Sequence, residues 1–423
     1  MYPESLPTIP VRRALHTGRR VYPFRDYRPL PWDIVYLPGW QPMFDDESTL
    51  AEDLAAAGYH TGFVTDTLPY FTPGMNFTRG FWQWEYIRGQ QQDRWRSVHT
   101  ANPERMANLW APEGRTGSRY STRAYHVANT DGLQSPEDTC TARTFKWAMQ
   151  FIRDNAAVPF YLLVDCFDPH EPWEAPEAYY RLYADGTYPG PTVIHARYDR
   201  DLAGLSEAQV RDIVAHYSGL ITLVDEWFGR LLCTLDEQHL TDRTMVLFTS
   251  DHGTNFGDNL WRVIGKPGWA LLPGTMHLPL ILRHPSGEGA GQRISGLRYN
   301  LDAVATVYEA AQVKSSQPID GVSLLPALRG DHSGDREYVT SRYGHTVWCY
   351  DGEWWAFCGV DRSDPHLFDR GEDPDGQRDL GTQARDVFEK NWQRMLGDAG
   401  GDLPGYRDMR RTDAIGQRPV YRR

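Results

Sequence analysis

Two stretches of the chain bring a histidine and carboxylates together directly after strongly apolar runs. Pro159 to Phe167 is followed by Asp168-Pro169-His170-Glu171-Pro172-Trp173, and Thr244 to Thr249 by Ser250-Asp251-His252-Gly253. Adjacent Asp251 and His252 offer one hard oxygen and one imidazole nitrogen to a divalent cation, provided the turn at Gly253 lets both converge. Taken alone, the tripeptide favours a plainer reading, a turn histidine bonded to nearby backbone groups. His170 has a similar alternative as a loop histidine stacked on Trp173. Lys266, in Gly265-Lys266-Pro267, would by composition be a solvated side chain.

The elements that must position these groups alternate along the chain. Asp45 to Gly58 reads as a short helix, with Asp, Ser and Thr near its start, Leu50, Leu54 and Ala57 at helical spacing, and Gly58 as the stop. His60 to Thr65 should be a strand, Thr141 to Asn155 a helix, Pro159 to Phe167 a strand, and Ser206 to about Glu237 a long helix. Thr244 to Thr249 and Leu278 to Leu282 read as two more buried strands. Near-continuous apolar strands separated by helices predict a doubly wound, mainly parallel α/β sheet covered on both faces. In such a sheet ligands bind beyond the carboxyl ends of the strands, where both histidines fall. After about residue 330 the pattern changes. Glu337 to Ser341, Thr346 to Tyr350 and Trp354 to Cys358 read as short strands, the last two joined at Asp351-Gly352, which predicts a small antiparallel C-terminal subdomain over 331–423 behind a catalytic domain over 1–330.

Length and composition narrow the field. At 423 residues with 40% hydrophobic and 13% aromatic content, the chain can bury a substantial core. A net charge of −12 without any Lys/Arg block argues against nucleic acid or an anionic membrane as partner. Five scattered cysteines, with no Cys-x-x-Cys pair, fit a reducing compartment better than a disulfide framework. With no leader-like segment at its start and no stretch of about 18 apolar residues, the chain as written reads as cytoplasmic. Phe81-Trp82-Gln83-Trp84-Glu85-Tyr86 and the loop from Trp95 to Trp110 are aromatic enough to line a pocket, although such segments more often pack on their own domain.

Thr8-Ile9-Pro10-Val11-Arg12, followed by Leu15-His16-Thr17-Gly18-Arg19, resembles the sulfatase signature Cys/Ser-x-Pro-x-Arg with its trailing Leu-x-Thr-Gly-Arg. It is joined in order by Leu50-Ala51-Glu52 through Ala57-Gly58-Tyr59-His60-Thr61, Asp168-Pro169-His170, Val224-Asp225 with Gly229-Arg230-Leu231-Leu232, Ser250-Asp251-His252-Gly253 and Leu278-Pro279-Leu280-Ile281. Asp320-Gly321-Val322-Ser323-Leu324-Leu325-Pro326 and Leu367-Phe368-Asp369 extend the similarity over almost the whole chain. The chain therefore resembles a sulfatase-family member of the alkaline phosphatase superfamily. The resemblance implies Thr8 at the nucleophile position, where it would also contact the metal, and Arg12 holding it and the bound anion. It further implies Asp251 and His252 as metal ligands, His170 as proton donor to the leaving group, and Lys266 as a contact to the substrate anion. The implied cofactor is a divalent metal ion: calcium would suit a carboxylate-rich site, whereas His252 and a threonine nucleophile lean toward manganese or zinc.

Three departures from the family shape the expected activity. Sulfatases convert Cys or Ser at the nucleophile position to formylglycine, whose hydrate has a second hydroxyl to expel the sulfate. Thr8 has one hydroxyl, so its ester must be cleaved by an activated water, as in phosphatases and phosphodiesterases. That favours phosphate or phosphonate esters among the small-molecule sulfate and phosphate esters the family takes. The family's Gly-Lys-x-His segment appears here as Thr65-Asp66-Thr67-Leu68. A charged Asp66 facing the site would repel an anion, unless it acts with Thr67 as a hydrogen-bonding pair. Finally, the family's first apolar strand, ending in metal-binding aspartates, has no counterpart in the seven residues before Thr8. Its loss should open a gap in the sheet and weaken metal binding and activity; a start assigned downstream of the true one would explain it. The competing readings are a non-catalytic sulfatase-like binding protein, a fragment inactive through loss of that strand, and a phosphotransferase or mutase of the same superfamily.

Overall fold

The computed structural model describes residues 1–25, 27, 35, 37–72, 74–112 and 122–406. In chain order its main elements are α1 (Thr8–Thr17), α2 (Leu50–Ala56), β1 (His60–Thr65), β2 (Gln83–Tyr86), α3 (Thr122–Thr130), α4 (Cys140–Asp154), β3 (Phe160–Asp165) and α5 (Glu207–Glu237). There follow β4 (Val246–Thr249), β5 (Asn255–Phe256), β6 (Ile264–Gly265), β7 (Leu280–Arg283), α6 (Asp302–Ala311), β8 (Val339–Tyr343), β9 (Thr346–Tyr350), β10 (Trp354–Gly359), β11 (His366–Asp369) and α7 (Arg385–Asp398). No helix among the described residues is long and apolar enough to cross a membrane.

Compactness divides these elements into two units. One gathers residues 54–68 and 80–244, the other 1–53, 69–79 and 245–423. Residues 331–406 carry the antiparallel sheet expected of them and share a unit with the start of the chain; residues 407–423 lie outside the described residues.

The first unit is built on a parallel sheet in the order β2-β1-β3, with Phe63 beside Trp84 and Leu163. The glycine at 62 has a packing reason, because the ring of Phe151 on α4 occupies the space a Cβ would need. Thr139 caps α4 by accepting from Ala142 N at 3.2 Å. Ser206 opens α5 through a reciprocal capping box with Gln209. The second helix begins later than expected: Thr49 and Glu52 form such a box, so Asp45 to Ser48 stay outside α2.

The second unit contains α1, the antiparallel pairs β4–β7 and β5–β6, and the meander β8-β9-β10-β11. Gly352 takes a positive φ of 96° between β9 and β10, and Trp354 N donates to Asp351 Oδ1 at 2.7 Å, which closes the predicted hairpin. Tyr2, Leu6 and Ala14 share a core with Leu271, Met276, Trp348, Trp355 and Phe357. Trp348 and Trp355 are fully buried, and burying each large ring contributes roughly 2–3 kcal/mol.

Two of the apolar strands are less covered than their composition predicts. β3 pairs with β1 alone and β4 with β7 alone among the described strands, and every residue of both is only half-buried. A strand with one neighbour keeps a row of backbone groups facing outward, whatever the apolarity of its side chains.

Candidate active site

In α1 every residue except Leu15 is buried, including Arg12, Arg13 and His16. Cations so placed need partners. Arg13 finds Glu47 at 2.8 Å, and Arg12 donates from Nη1 to Asp251 Oδ2. Arg12 also lies over the ring of Tyr70, 5.5 Å from its centroid. Thr8 is the first residue of the helix and is buried, one turn before Arg12, whose Nη1 is 3.4 Å from the Thr8 carbonyl oxygen. The hydroxyl therefore sits where unpaired backbone N–H groups and the helix dipole favour an anion.

Asp251 and His252 leave the end of β4 as the alternation of apolar run and turn predicts. Asp251 Oδ1 accepts the His252 backbone N–H at 2.8 Å, while Oδ2, the oxygen bonded to Arg12, lies 3.4 Å from His252 Nε2. His252 Nδ1 is 3.1 Å from the Gly253 carbonyl, so that ring nitrogen carries a proton. Burial alone would raise the Asp251 carboxyl, but Arg12 and His252 hold it well below the usual carboxylate range. An imidazole nitrogen and a carboxylate oxygen so close could serve as two ligands of a metal ion. They do not complete a metal site: among the described residues no group of three His, Cys, Asp or Glu side chains converges, and Arg12 already engages Oδ2.

Lys266 is not the solvated side chain that composition suggests. It is 5% exposed, directly after β6. Asn255 pairs with Gly265 in the antiparallel β5–β6 ladder, so continuing the register sets Lys266 opposite Thr254, next to the Asp251–Gly253 turn. Asn255 Nδ2 donates to Gly265 O and Thr275 Oγ1, both at 2.8 Å, and locks that hairpin.

The other unit holds His170, beyond the carboxyl end of β3. Its ring packs on Phe167 at 4.1 Å between centroids. Nδ1 lies 2.9 Å from Glu171 Oε2 and 2.8 Å from the Glu171 carbonyl, which turns Nε2 away from both. Glu171 is buried and also accepts from Tyr198 at 2.7 Å. It orients His170, a role the sequence did not suggest although the two residues are adjacent.

The surroundings of Asp66 disfavour a charge. Asp66 is fully buried, its Oδ1 accepts Phe167 N at 2.7 Å, and its Oδ2 has no hydrogen-bond partner among the described residues. Burial, then the neighbouring Asp168, pushes its carboxyl well above the usual range, which works against a charge there and so against the expected repulsion of an anion. Thr67 bonds Asp165 at 2.9 Å instead of pairing with Asp66. A further polar group missed from sequence is Glu174, which accepts at Oε2 from Arg105 at 2.5 Å and from His126 Nε2 at 2.6 Å.

A sulfatase family profile matches residues 1–313. Among curated proteins, the multifunctional alkaline phosphatase superfamily protein PehA of Trinickia caryophylli is 27% identical over 253 residues, 53% of this chain and 47% of that protein. Choline-sulfatase of Rhizobium meliloti (strain 1021) is 27% identical over 279 residues, 58% of this chain and 53% of that one. The chain thus spans about half the length of these curated relatives. Of solved structures, the phosphonate monoester hydrolase of Agrobacterium radiobacter superposes with a TM-score of 0.70 at 19% identity, covering 94% of this chain and 86% of the other, a likeness of fold.

Proposed function

The chain belongs to the sulfatase family, and on that premise we propose that it hydrolyses small-molecule sulfate, phosphate or phosphonate esters, with phosphorus esters preferred. The observation that carries this reading is the Arg12–Asp251 ion pair, which fixes the helix bearing Thr8 against the turn bearing His252. The family resemblance gives Arg12 and Lys266 as cationic contacts to a tetrahedral anion, and the amino end of α1 favours the same charge. Thr8 Oγ1 gives its proton to solvent water and forms the new bond to phosphorus as the bond to the leaving oxygen breaks. By the family resemblance His170, held through Nδ1 by Glu171, would supply a proton from Nε2 to that oxygen; water then cleaves the threonine ester, its OH staying on phosphorus and its proton returning to Thr8 Oγ1. Members of the family generally use a divalent metal ion. Asp251 and His252 are the residues that match its ligands, and because they do not complete a coordination sphere no step here depends on it.

The preference for phosphorus follows from the single hydroxyl of Thr8, which leaves no second oxygen to expel a sulfate. Hydrolysis of 4-nitrophenyl sulfate, 4-nitrophenyl phosphate, 4-nitrophenyl phenylphosphonate and bis(4-nitrophenyl) phosphate is the test, each with added manganese, zinc or calcium. Turnover of a phosphorus ester that falls at least about a hundredfold in Thr8→Ala and Asp251→Ala supports the proposal. Turnover of the sulfate alone would refute the substrate preference. The second reading, a non-catalytic binding protein, is favoured by the protein donors on both Asp251 oxygens; it predicts ester binding without turnover.

A further inference from the structure

Between the edge strand β2 and the second half of α4 lies a pocket of about 410 Å³ that no step above uses. Gln83 and Trp84 line it from the strand, Trp82 from just before it, and Trp147, Gln150 and Asp154 from the helix. Trp82 N donates to Thr61 O at 3.0 Å, beside the start of β1, and Asp154 ends α4 before β3 begins. The pocket is therefore at the amino ends of the parallel strands, away from the carboxyl ends that carry Asp66 and His170.

Its chemistry is unusual for a surface. Trp82 and Trp84 are 71% and 48% exposed, so two large rings stay in water at the start of a strand of four residues. Trp147 is held nearly parallel to Phe151, with ring centroids 5.7 Å apart and 19° between planes. Among the rings stand two side-chain amides and a carboxylate. Gln150 Nε2 donates to Asp154 Oδ1 at 2.7 Å, which orients that carboxylate and leaves its second oxygen to accept from a ligand.

We infer that this pocket binds an uncharged carbohydrate. A sugar ring has an apolar C–H face that covers an indole and a rim of hydroxyls that donate to carboxylate and amide oxygens, so it matches both halves of the lining. No Lys or Arg lines the pocket, and Asp154 with the exposed Glu85 disfavours anions; a sulfated or phosphorylated chain finds no partner there. An apolar peptide would bury Gln83, Gln150 and Asp154 unsatisfied. The site is separate from ester hydrolysis and stands whether or not the catalytic proposal does.

The test is calorimetric titration of the full chain with cellohexaose, maltohexaose, xylohexaose and chitohexaose, together with a heparin-derived hexasaccharide as the charged control. At least one neutral probe should bind, with affinity reduced about tenfold or more in Trp82→Ala and in Trp84→Ala, exposed positions whose truncation leaves the fold intact by circular dichroism. Asp154→Asn should weaken binding severalfold. Silence with all four neutral probes, binding undiminished in the tryptophan variants, or tighter binding of the heparin fragment would overturn the inference. So would a dimer in sedimentation velocity that dissociates in Trp84→Ala, since a second copy would then be the occupant.

Discussion

The guanidinium of Arg12 and the carboxylate of Asp251, 239 residues apart in sequence, form an ion pair in which the side chains are only 7% and 18% exposed. Removing either partner leaves the other charge without compensation in a mostly dry place, which costs roughly 3 kcal/mol. Arg12→Ala and Asp251→Ala should each destabilise by about that amount in urea unfolding, and the double variant by clearly less than the sum. Additive losses would show that the pair is not coupled in solution.

Glu171 holds His170 without belonging to the reaction. Glu171→Gln should lower kcat about ten- to a hundredfold with little change in KM, because the ring loses its fixed orientation while anion binding is untouched. Tyr198→Phe, which removes one donor to Glu171, should give a smaller change in the same direction. A matching rise in KM would assign Glu171 to substrate binding instead.

The buried Asp66 makes a distinct pH signature. Its folded carboxyl titrates above the ordinary 3.8, so folding takes up a proton once the pH exceeds that value, and stability declines as pH rises toward the folded value. Asn mimics the neutral acid and keeps an oxygen for Phe167 N–H. Asp66→Asn should therefore melt higher than the parent at pH 8, with the gap closing toward pH 4. A gap independent of pH would mean that Asp66 is ionised in the folded chain.

Glu174 behaves in the opposite sense. Burial would raise its carboxyl, but the hydrogen bond from His126 and the charges of His126 and Arg105 bring it down to about 2 from the ordinary 4.5. Its contribution is present above pH 4.5 and fades as the pH falls toward 2. Glu174→Gln should cost on the order of 3 kcal/mol at pH 7 and almost nothing near pH 2. Denaturant titrations at both values measure the difference directly.

Much of this architecture was legible because local rules agreed with the tertiary outcome. The β1 strand falls on His60 to Thr65 as alternation and the Gly58 stop predict, and the Ser206–Gln209 box marks the start of α5 to the residue. The placement of Asp251 and His252 needed only an apolar run followed by a turn. Lys266 was misread by composition because its burial depends on two strands of two residues each, too short to show a period. The Glu174 cluster joins residues 48 and 69 positions apart, and no local pattern records such a meeting. Asp66 was read as a charge because a sequence shows which groups can ionise and not the solvent that would let them.

The half-covered strand β3 also bears on how the chain behaves at high concentration. Phe160-Tyr161-Leu162-Leu163-Val164 combines strong strand propensity with no charge and no proline, at a margin where backbone donors and acceptors run parallel to one another. Such a margin is a template that another polypeptide can copy onto, and nothing in its side chains discourages the match. Colloidal behaviour would then be set by a segment remote from the chemistry: shelf life should shorten with concentration, and a single lysine in place of Leu162 or Val164 should lengthen it more than any change at the surface helices.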